Sequence, residues 1–230
     1  MLYNLLSFFN KTFEVEISKI INKTKSKKNI NIVDVGCYFG NFSRNLKNKI
    51  DKKCNFFLID ANPNIKLHDF DHFSIGLSNK TGNSFFYLND FFSSSGSGFD
   101  SIVRKDKWWV ISRKLLSLNV FSKFSKHKIN TETLDNFCKK NKIYNIEVLK
   151  IDCEGHEDKI LFGAKKMLKK TNIIQIEILE NKQLFKNKFD SIKKLLEKNN
   201  FKLQILKKIR IVSLFSNIYS VDALYIKKII

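Results

Sequence analysis

The stretch that decides the fold is Ile32–Phe42, with the sequence IVDVGCYFGNF. An apolar run reaches Asp34, turns at Gly36 and leads through Gly40 into a helical pattern. A buried strand that turns on glycine into a helix is the first unit of many nucleotide sites, because a glycine turn leaves room for a ligand. Only two glycines are present and the dinucleotide motif GxGxxG is absent, so this stretch alone fits a plain strand–turn–helix junction equally well.

Short apolar runs and helical patterns alternate outward from this unit. The predicted strands are 30–35, 55–60, 73–77, 84–88, 129–131, 147–151, 173–178, 201–206, 209–212 and 221–226, and the predicted helices are 41–50, one that begins at 133, 157–170 and 189–199. This alternation is typical of parallel βαβ units, and the last strand is expected to end the sheet as an antiparallel hairpin. The periodicity fails over 89–128, apart from a helix predicted from Trp108 to Leu118, and so long an insertion favours a substrate lid.

The N-terminal segment 1–25 is predicted to lie outside the domain formed by 26–230. Apolar residues at helical spacing over 1–23 predict one amphipathic helix that packs on the domain edge. Weak contact with a membrane surface, or a dimer contact, is the minority alternative. No run approaches the roughly 18 apolar residues of a membrane-spanning helix, and no secretory signal pattern opens the sequence. These observations predict a cytoplasmic protein.

The charge of the chain resembles that of a nucleic-acid-binding protein, but its composition argues otherwise. The sequence has 42 basic and 22 acidic residues, a formal net charge of +20. Only four of the basic residues are arginines, although arginine is the side chain that reads phosphates and bases with a bidentate fork. We therefore interpret the positive charge as lysines spread over solvated helix faces. Its remaining functional use would be weak electrostatic steering of an anionic acceptor.

Acidic residues follow three of the predicted strands. Asp60 ends the second strand, where an open α/β sheet places the carboxylate that binds a ribose. Asp152 and Glu154 follow the strand 147–151 and are expected to face the same crevice as Asp34 and Asp60. Carboxylates that repel one another raise at least one pKa, which favours a proton acceptor. No metal site is predicted.

Several ordered motifs resemble those of the FkbM-type methyltransferases. They are Asp34–Gly36, Leu58–Pro63, Gly76–Gly82, Thr133–Asp135 and Lys150–Glu157, followed by Gly163-Ala164. The resemblance implies a class I, S-adenosylmethionine-dependent O-methyltransferase. The implied fold is α/β and Rossmann-like, with a mostly parallel seven-stranded sheet, helices on both faces and the lid insertion at 89–128.

The resemblance also implies the roles of individual residues. The expected cofactor-binding residues are Asp34, Gly36 and Gly40 around the methionine part, Asp60 at the ribose, Ser78 near the adenine and Asp152 near the transferred methyl group, together with Tyr38 and Ala61. Asp152 is expected to accept the proton of the acceptor, with Glu154 and His156 as rivals. The sequence departs from the family pattern at Cys37-Tyr38, at Asp60 in place of glutamate and at Asn79 in place of aspartate.

The implied acceptor is a hydroxyl of a sugar or another small metabolite, such as a nucleotide-linked sugar. Two alternatives belong to other classes. One is a non-catalytic Rossmann-like binding or scaffold protein, and the other is an RNA methyltransferase that uses the lysine excess.

Overall fold

The computed structural model describes residues 13–24, 29–90, 97–99, 102–118, 121, 123–211 and 216–228. The strands are β1 (Ile30–Val35), β2 (Cys54–Asp60), β3 (Asp71–Ser74), β4 (Gly76–Leu77), β5 (Gly82–Asn89), β6 (Gly98–Phe99), β7 (Phe124–Glu132), β8 (Ile146–Ile151), β9 (Thr171–Asn181), β10 (Phe201–Leu206), β11 (Arg210–Ile211) and β12 (Ile218–Lys227). The helices are α1 (Phe13–Lys23), α2 (Asn41–Lys47), α3 (Ile102–Lys105), α4 (Lys107–Leu116), α5 (Leu134–Lys140), α6 (Glu157–Phe162) and α7 (Lys182–Lys198), with a 3-10 turn at Leu168–Lys170.

The main sheet confirms the predicted α/β fold. Its strand order is β10-β12-β9-β8-β1-β2-β3, and the short β11 pairs with β12 to make eight strands rather than the predicted seven. The strands from β9 to β3 are parallel, whereas β12 runs antiparallel to both of its long neighbours. The antiparallel end of the sheet is therefore confirmed, but β12 lies between β9 and β10 and does not form the edge.

Helices cover both faces of this sheet because side chains alternate along each strand. In β1, Ile32 packs with α1 and α2, whereas Val33 packs with α5, α6 and α7 on the other face. The apolar side of α1 is buried in this packing, with Ile17 and Ile21 fully covered. The described part of the predicted 1–23 helix thus uses its apolar face inside the fold, and residues 1–12 lie outside the described residues.

A second, four-stranded sheet confirms one predicted strand and divides another. The predicted strand 73–77 breaks at Ile75 into β3, in the main sheet, and β4, which pairs with β7. The strand predicted at 84–88 is β5, and its partners are β6 and β7. The helix predicted over 157–170 ends at Phe162, and the residue that follows, Gly163, lies so close to the chain at Ser78 that a Cβ atom there would be 2.2 Å from the Ser78 carbonyl oxygen.

The insertion over 89–128 contains regular structure where the sequence pattern predicted little. It holds the end of β5, β6, α3, α4 and the first residues of β7. Trp109 on α4 is fully buried against Val103, Leu179 and Ile218, so the insertion is anchored to the body of the fold. Among the described residues, no helix is both long enough and apolar enough to cross a membrane.

Candidate active site

The strand register explains why distant residues meet at one edge of the main sheet. Val35 at the end of β1 is paired with Ile59 of β2 and Ile151 of β8. The residues that follow, Gly36, Asp60 and Asp152, therefore emerge together at the carboxyl edge, where open α/β sheets bind their ligands. A cavity of about 400 Å³ opens there, within the usual size of a small-molecule site.

The turn after β1 lies close against the segment that follows β8. Gly36 has a φ of +73°, and a Cβ atom there would lie 1.8 Å from the carbonyl oxygen of Asp152. The Gly36 amide donates to the Ile59 carbonyl at 2.9 Å. Only glycine fits this position, because both the left-handed conformation and the close approach exclude a side chain.

Asp60 is held rigidly at the end of β2. One carboxylate oxygen accepts from the Tyr38 amide at 2.7 Å, and the other accepts from the Asn62 amide at 2.8 Å. Burial raises the pKa of Asp60, and the two amides together with Lys150 offset part of that increase. Each oxygen keeps a further lone pair, so this carboxylate can accept hydrogen bonds from a ligand's hydroxyl groups.

Lys150 on β8 connects the first strand to the cavity. Its ammonium lies 3.2 Å from Asp34 and 3.4 Å from Asp152, and it donates to the Gly36 carbonyl at 3.1 Å. Asp34 is fully buried and also accepts from Ser43 Oγ at 2.8 Å. Asp34 thus lies behind the cavity wall, and it supports Lys150 and the turn at Gly36.

The segment 152–157 is held from behind by a buried ion pair. The Glu157 carboxylate accepts from the Gly155 amide at 2.7 Å and lies 3.1 Å from the Lys188 ammonium. Lys188 also donates to the Gly155 carbonyl at 2.6 Å. Glu157, at the start of α6, therefore fixes the segment that carries Asp152 and Glu154 to the cavity.

His156 and Ser78 lie next to each other, outside the cavity lining. His156 Nε2 is 3.0 Å from Ser78 Oγ, and its ring stacks on Phe99 with centroids 4.3 Å apart. Burial, followed by the neighbouring Lys159, lowers the pKa of His156 to about 4. At neutral pH this imidazole is uncharged. It stacks on Phe99, and Phe99 in turn lines the cavity.

A second group of polar side chains comes from the antiparallel end of the sheet. Register pairs Ile151 with Ile176 and Glu177 with Asp222, so Asp152, Glu177 and Asp222 form one row across three strands. Glu177 accepts from Ser220 Oγ at 2.6 Å and from Arg210 at 2.9 Å. Arg210 also lies 3.1 Å from Asp222 and so bridges the two carboxyl groups.

Asp152 and Glu177 share a side-chain hydrogen bond, and their pKa values are shifted in opposite directions. Burial alone would raise the pKa of Asp152, but Lys150, the hydrogen bond from Glu177 and Arg210 together lower it below its usual range. Burial and the neighbouring carboxylates of Asp152, Glu154 and Asp222 raise the pKa of Glu177 well above its usual range. Of the two carboxyl groups, Glu177 therefore binds a proton more tightly, and in its protonated form it donates a hydrogen bond to the Asp152 carboxylate.

The structure brings together six of the ten predicted site residues. The lining includes Gly36, Tyr38, Asp60, Ala61, Asp152 and Glu154, but it does not include Asp34, Gly40, Ser78 or His156. The insertion contributes Ser97, Phe99, Trp109 and Arg113 to the lining. Sequence reasoning missed Glu177, Arg210, Ser220 and Asp222. The available signal was a charged residue inside an apolar run, as in Ile173–Leu179 and Val221–Tyr225.

The fold and the cavity define an α/β enzyme-type site at the carboxyl edge of a doubly wound sheet. The family model described as the Methyltransferase FkbM domain matches residues 34–203, well over half of the chain. The chain belongs to the FkbM methyltransferase family. It is therefore an S-adenosylmethionine-dependent methyltransferase, and the predicted family, fold and cofactor are confirmed.

The search of solved structures found matches of low sequence identity and low TM-score. TYW2 from M. jannaschii, in complex with AdoMet, is 12% identical with a TM-score of 0.38, and the match covers 97% of this chain and 80% of that one. The precorrin-6y C5,15-methyltransferase from Geobacter metallireducens is 8% identical with a TM-score of 0.40, and the match covers 96% and 90% of the two chains. No curated protein matches the sequence.

The residues around the cavity fit S-adenosylmethionine. A glycine turn without a side chain adjoins the fixed, buried Asp60 carboxylate, and apolar walls from Ile59, Ile75 and Leu77 complete this part of the cavity. In the part of the chain that the structure describes, no group of three or more histidine, cysteine or acidic side chains is arranged to hold a metal ion.

Proposed function

We propose that the enzyme transfers a methyl group to a hydroxyl of a saccharide or a similar small polyhydroxylated metabolite. The observation that carries this proposal is the row Asp152–Glu177–Asp222, bridged by Arg210 in the same cavity as Asp60. Carboxylates and an arginine side by side accept from and donate to several hydroxyl groups at once. Phe86 and Phe99 add apolar ring edges to the lining of the same cavity, which suits the apolar face of a sugar ring.

The cofactor and the acceptor are proposed to occupy opposite parts of the cavity. Asp60 accepts from the ribose hydroxyls, Gly36 and Tyr38 border the methionine part, and Ala61 borders the nucleoside. Asp34 and Gly40 act indirectly, through the turn that they stabilise. The acceptor lies beside Asp152 and the row from the antiparallel strands. The cytoplasmic location remains a prediction.

When bound, S-adenosylmethionine supplies a methyl group on a positively charged sulfur, and the sulfur–carbon bond breaks with its electron pair left on sulfur as the oxygen–carbon bond forms. Asp152 accepts the proton that the acceptor hydroxyl loses. Lys150 and Glu177 keep Asp152 in its carboxylate form at neutral pH, which is the form that can accept a proton. Holding the hydroxyl in line beside this carboxylate supplies much of the rate.

The charges around Asp152 favour a neutral acceptor group. Glu154 and Asp222 lie in the same lining, so a phosphate next to the reacting hydroxyl would be repelled. A nucleotide-linked sugar would therefore have to keep its phosphates outside this end of the cavity. A neutral sugar ring meets no such repulsion.

The proposal is tested by incubating the enzyme with S-adenosylmethionine and a panel of saccharides, nucleotide sugars and RNA, with mass spectrometry to detect methylated products. We expect a saccharide product. Asp152→Asn should lower turnover by a factor of about 10² to 10⁴, the usual contribution of a general base, while S-adenosylmethionine still binds by calorimetry.

Glu154→Gln is the matched control, since Glu154 is the rival base in the same segment. It should keep most of the turnover. A saccharide methylated at the wild-type rate by Asp152→Asn would refute the role of Asp152, and a product found only on RNA would refute the acceptor class.

A further inference from the structure

The outward side of α4 carries a largely exposed apolar surface. Trp108, Ile111 and Leu115 lie on one side of the helix, and Leu118 continues that row in the following turn; their exposed fractions are 56%, 48%, 62% and 91%. Their spacing of three or four residues puts them on one helical face. We call these four residues the outer α4 face. Phe121, which is 94% exposed, lies just beyond it along the chain.

The opposite side of α4 is fixed to the protein. Trp109 is fully buried, and its amide donates to Asp106 Oδ1 at 2.9 Å, which caps the helix. Asp106 Oδ2 accepts from Ser216 Oγ at 3.0 Å and from the Asn217 amide at 2.9 Å. The helix is thus anchored through its inner side and its start, and the outer α4 face points away from the core.

The stretch of sequence that contains this face is strongly basic. Residues 101–131 contain eight lysines and arginines but a single acidic residue, Asp106, whose carboxylate is engaged in the helix cap and in contacts with Ser216 and Asn217. Lys107 and Lys123 are exposed on either side of the apolar row along the chain. A helix that combines Trp and Leu on one face with flanking lysines is the pattern of a helix that lies in a membrane interface.

We propose that the outer α4 face docks the enzyme onto an anionic lipid bilayer. The apolar side chains enter the boundary between headgroups and acyl chains, and the lysines contact the anionic headgroups. A neutral protein partner or a second copy of this chain would not use the basic charge, since the chain itself carries +20. Trp109 and Arg113 on the same helix line the cavity, so docking would bring the active site close to the bilayer surface.

The test is flotation of the purified enzyme with vesicles of phosphatidylcholine alone and of phosphatidylcholine with one third phosphatidylglycerol. We expect binding to the anionic vesicles only, weakened by salt. The fluorescence of Trp108 should shift to the blue on binding, and this shift should disappear in Trp108→Phe, because the second tryptophan, Trp109, is already buried.

Three paired variants separate the contributions. The double variant Ile111→Ser with Leu115→Ser should lower binding by about tenfold or more, because two side chains that would enter the interface are removed. Lys107→Gln with Lys123→Gln should lower binding by about 30-fold, since each lysine near an anionic surface contributes about 1 kcal/mol. The control is Leu184→Ser with Leu206→Ser, two leucines exposed elsewhere, which should leave binding unchanged.

Three results would overturn the proposal. The first is no binding to anionic vesicles. The second is vesicle binding that survives Ile111→Ser with Leu115→Ser, which would assign the contact to lysines alone, as for RNA. The third is concentration-dependent dimerisation that these two substitutions abolish, because the outer α4 face would then be covered by a second copy of the chain.

Discussion

The two sides of the cavity are built in different ways. The side formed by β1, β2 and β8 presents residues that follow the ends of parallel strands, such as Gly36, Asp60 and Asp152. The side formed by β9, β11 and β12 presents residues from within strands, such as Glu177 and Asp222, which face each other in register. The first side has a glycine turn and backbone amides that fix Asp60, whereas the second side has pairs of charged side chains.

This difference suggests a division of labour. The backbone geometry of the first side suits a cofactor that is the same in every turnover. The second side presents carboxyl groups and an arginine from within strands, which suits an acceptor held by several hydrogen bonds. Asp152 lies at the junction, because Lys150 ties it to the first side and Glu177 ties it to the second.

The largest effect is expected at Lys150, which both sides share. Lys150→Met would leave the fully buried Asp34 without its ion-pair partner, and breaking a buried pair in this way typically costs about 3 to 5 kcal/mol. The free energy of unfolding, measured with urea, should fall by this amount. Lys193→Met is the control, because Lys193 and Glu197 form an exposed pair that should contribute about 1 kcal/mol or less. Equal losses in the two variants would contradict the central position of Lys150.

An intermediate effect is expected at Arg210, which belongs only to the second side. Arg210→Gln removes the bridge between Glu177 and Asp222 and should raise the KM for the acceptor by about tenfold, the loss of one charge-assisted hydrogen bond. The affinity for S-adenosylmethionine should not change. A variant that loses cofactor affinity and keeps its acceptor KM would reverse the assignment of the two sides.

The smallest effect at neutral pH is expected for Glu177→Gln. The raised pKa of Glu177 favours its protonated form, and glutamine resembles that form because it keeps both a donor toward Asp152 and an acceptor toward Ser220. At higher pH the wild-type Glu177 loses its proton, and its charge then adds to those of Asp152, Glu154 and Asp222, opposed by Lys150 and Arg210. Wild-type activity should therefore fall on the alkaline side.

Glu177→Gln should lack this alkaline fall and keep the acid limb set by Asp152. The measurement is kcat against pH for both proteins. Glu177→Ala is the second variant, and it should move the acid limb to higher pH because Asp152 loses a hydrogen bond that lowers its pKa. If the wild type and Glu177→Gln have superimposable profiles, Glu177 has no positioning role for Asp152.

The sequence predicted the first side well for a physical reason. The end of a buried strand, a glycine turn and the next helix follow one another within Ile32–Phe42, so local pattern carries the geometry. Asp60 and Asp152 likewise follow apolar runs directly. His156 and Ser78 were placed in the site by motif alone, but the stacking of His156 on Phe99 depends on the packing of the insertion, which periodicity does not encode.

The second side depends on pairing between segments far apart in the chain. That Glu177 and Asp222 face each other follows only from the register of β9 with β12. Arg210 reaches both because the two-residue β11 adds to β12 at Ser220. The prediction of one helix over 157–170 was wrong at its C-terminal half, where the chain leaves the helix at Gly163 and packs against the remote residue Ser78.

The most direct test of this account is calorimetric titration of S-adenosylmethionine into Asp60→Asn and Arg210→Gln, with wild type as the reference and thermal melting to verify folding. We expect the Kd for S-adenosylmethionine to rise by about 10- to 100-fold in Asp60→Asn, the loss expected for hydrogen bonds to a charged group. In Arg210→Gln the Kd should stay at the wild-type value. Unchanged affinity in Asp60→Asn, or equal losses in both variants, would contradict the division of the cavity into a cofactor side and an acceptor side.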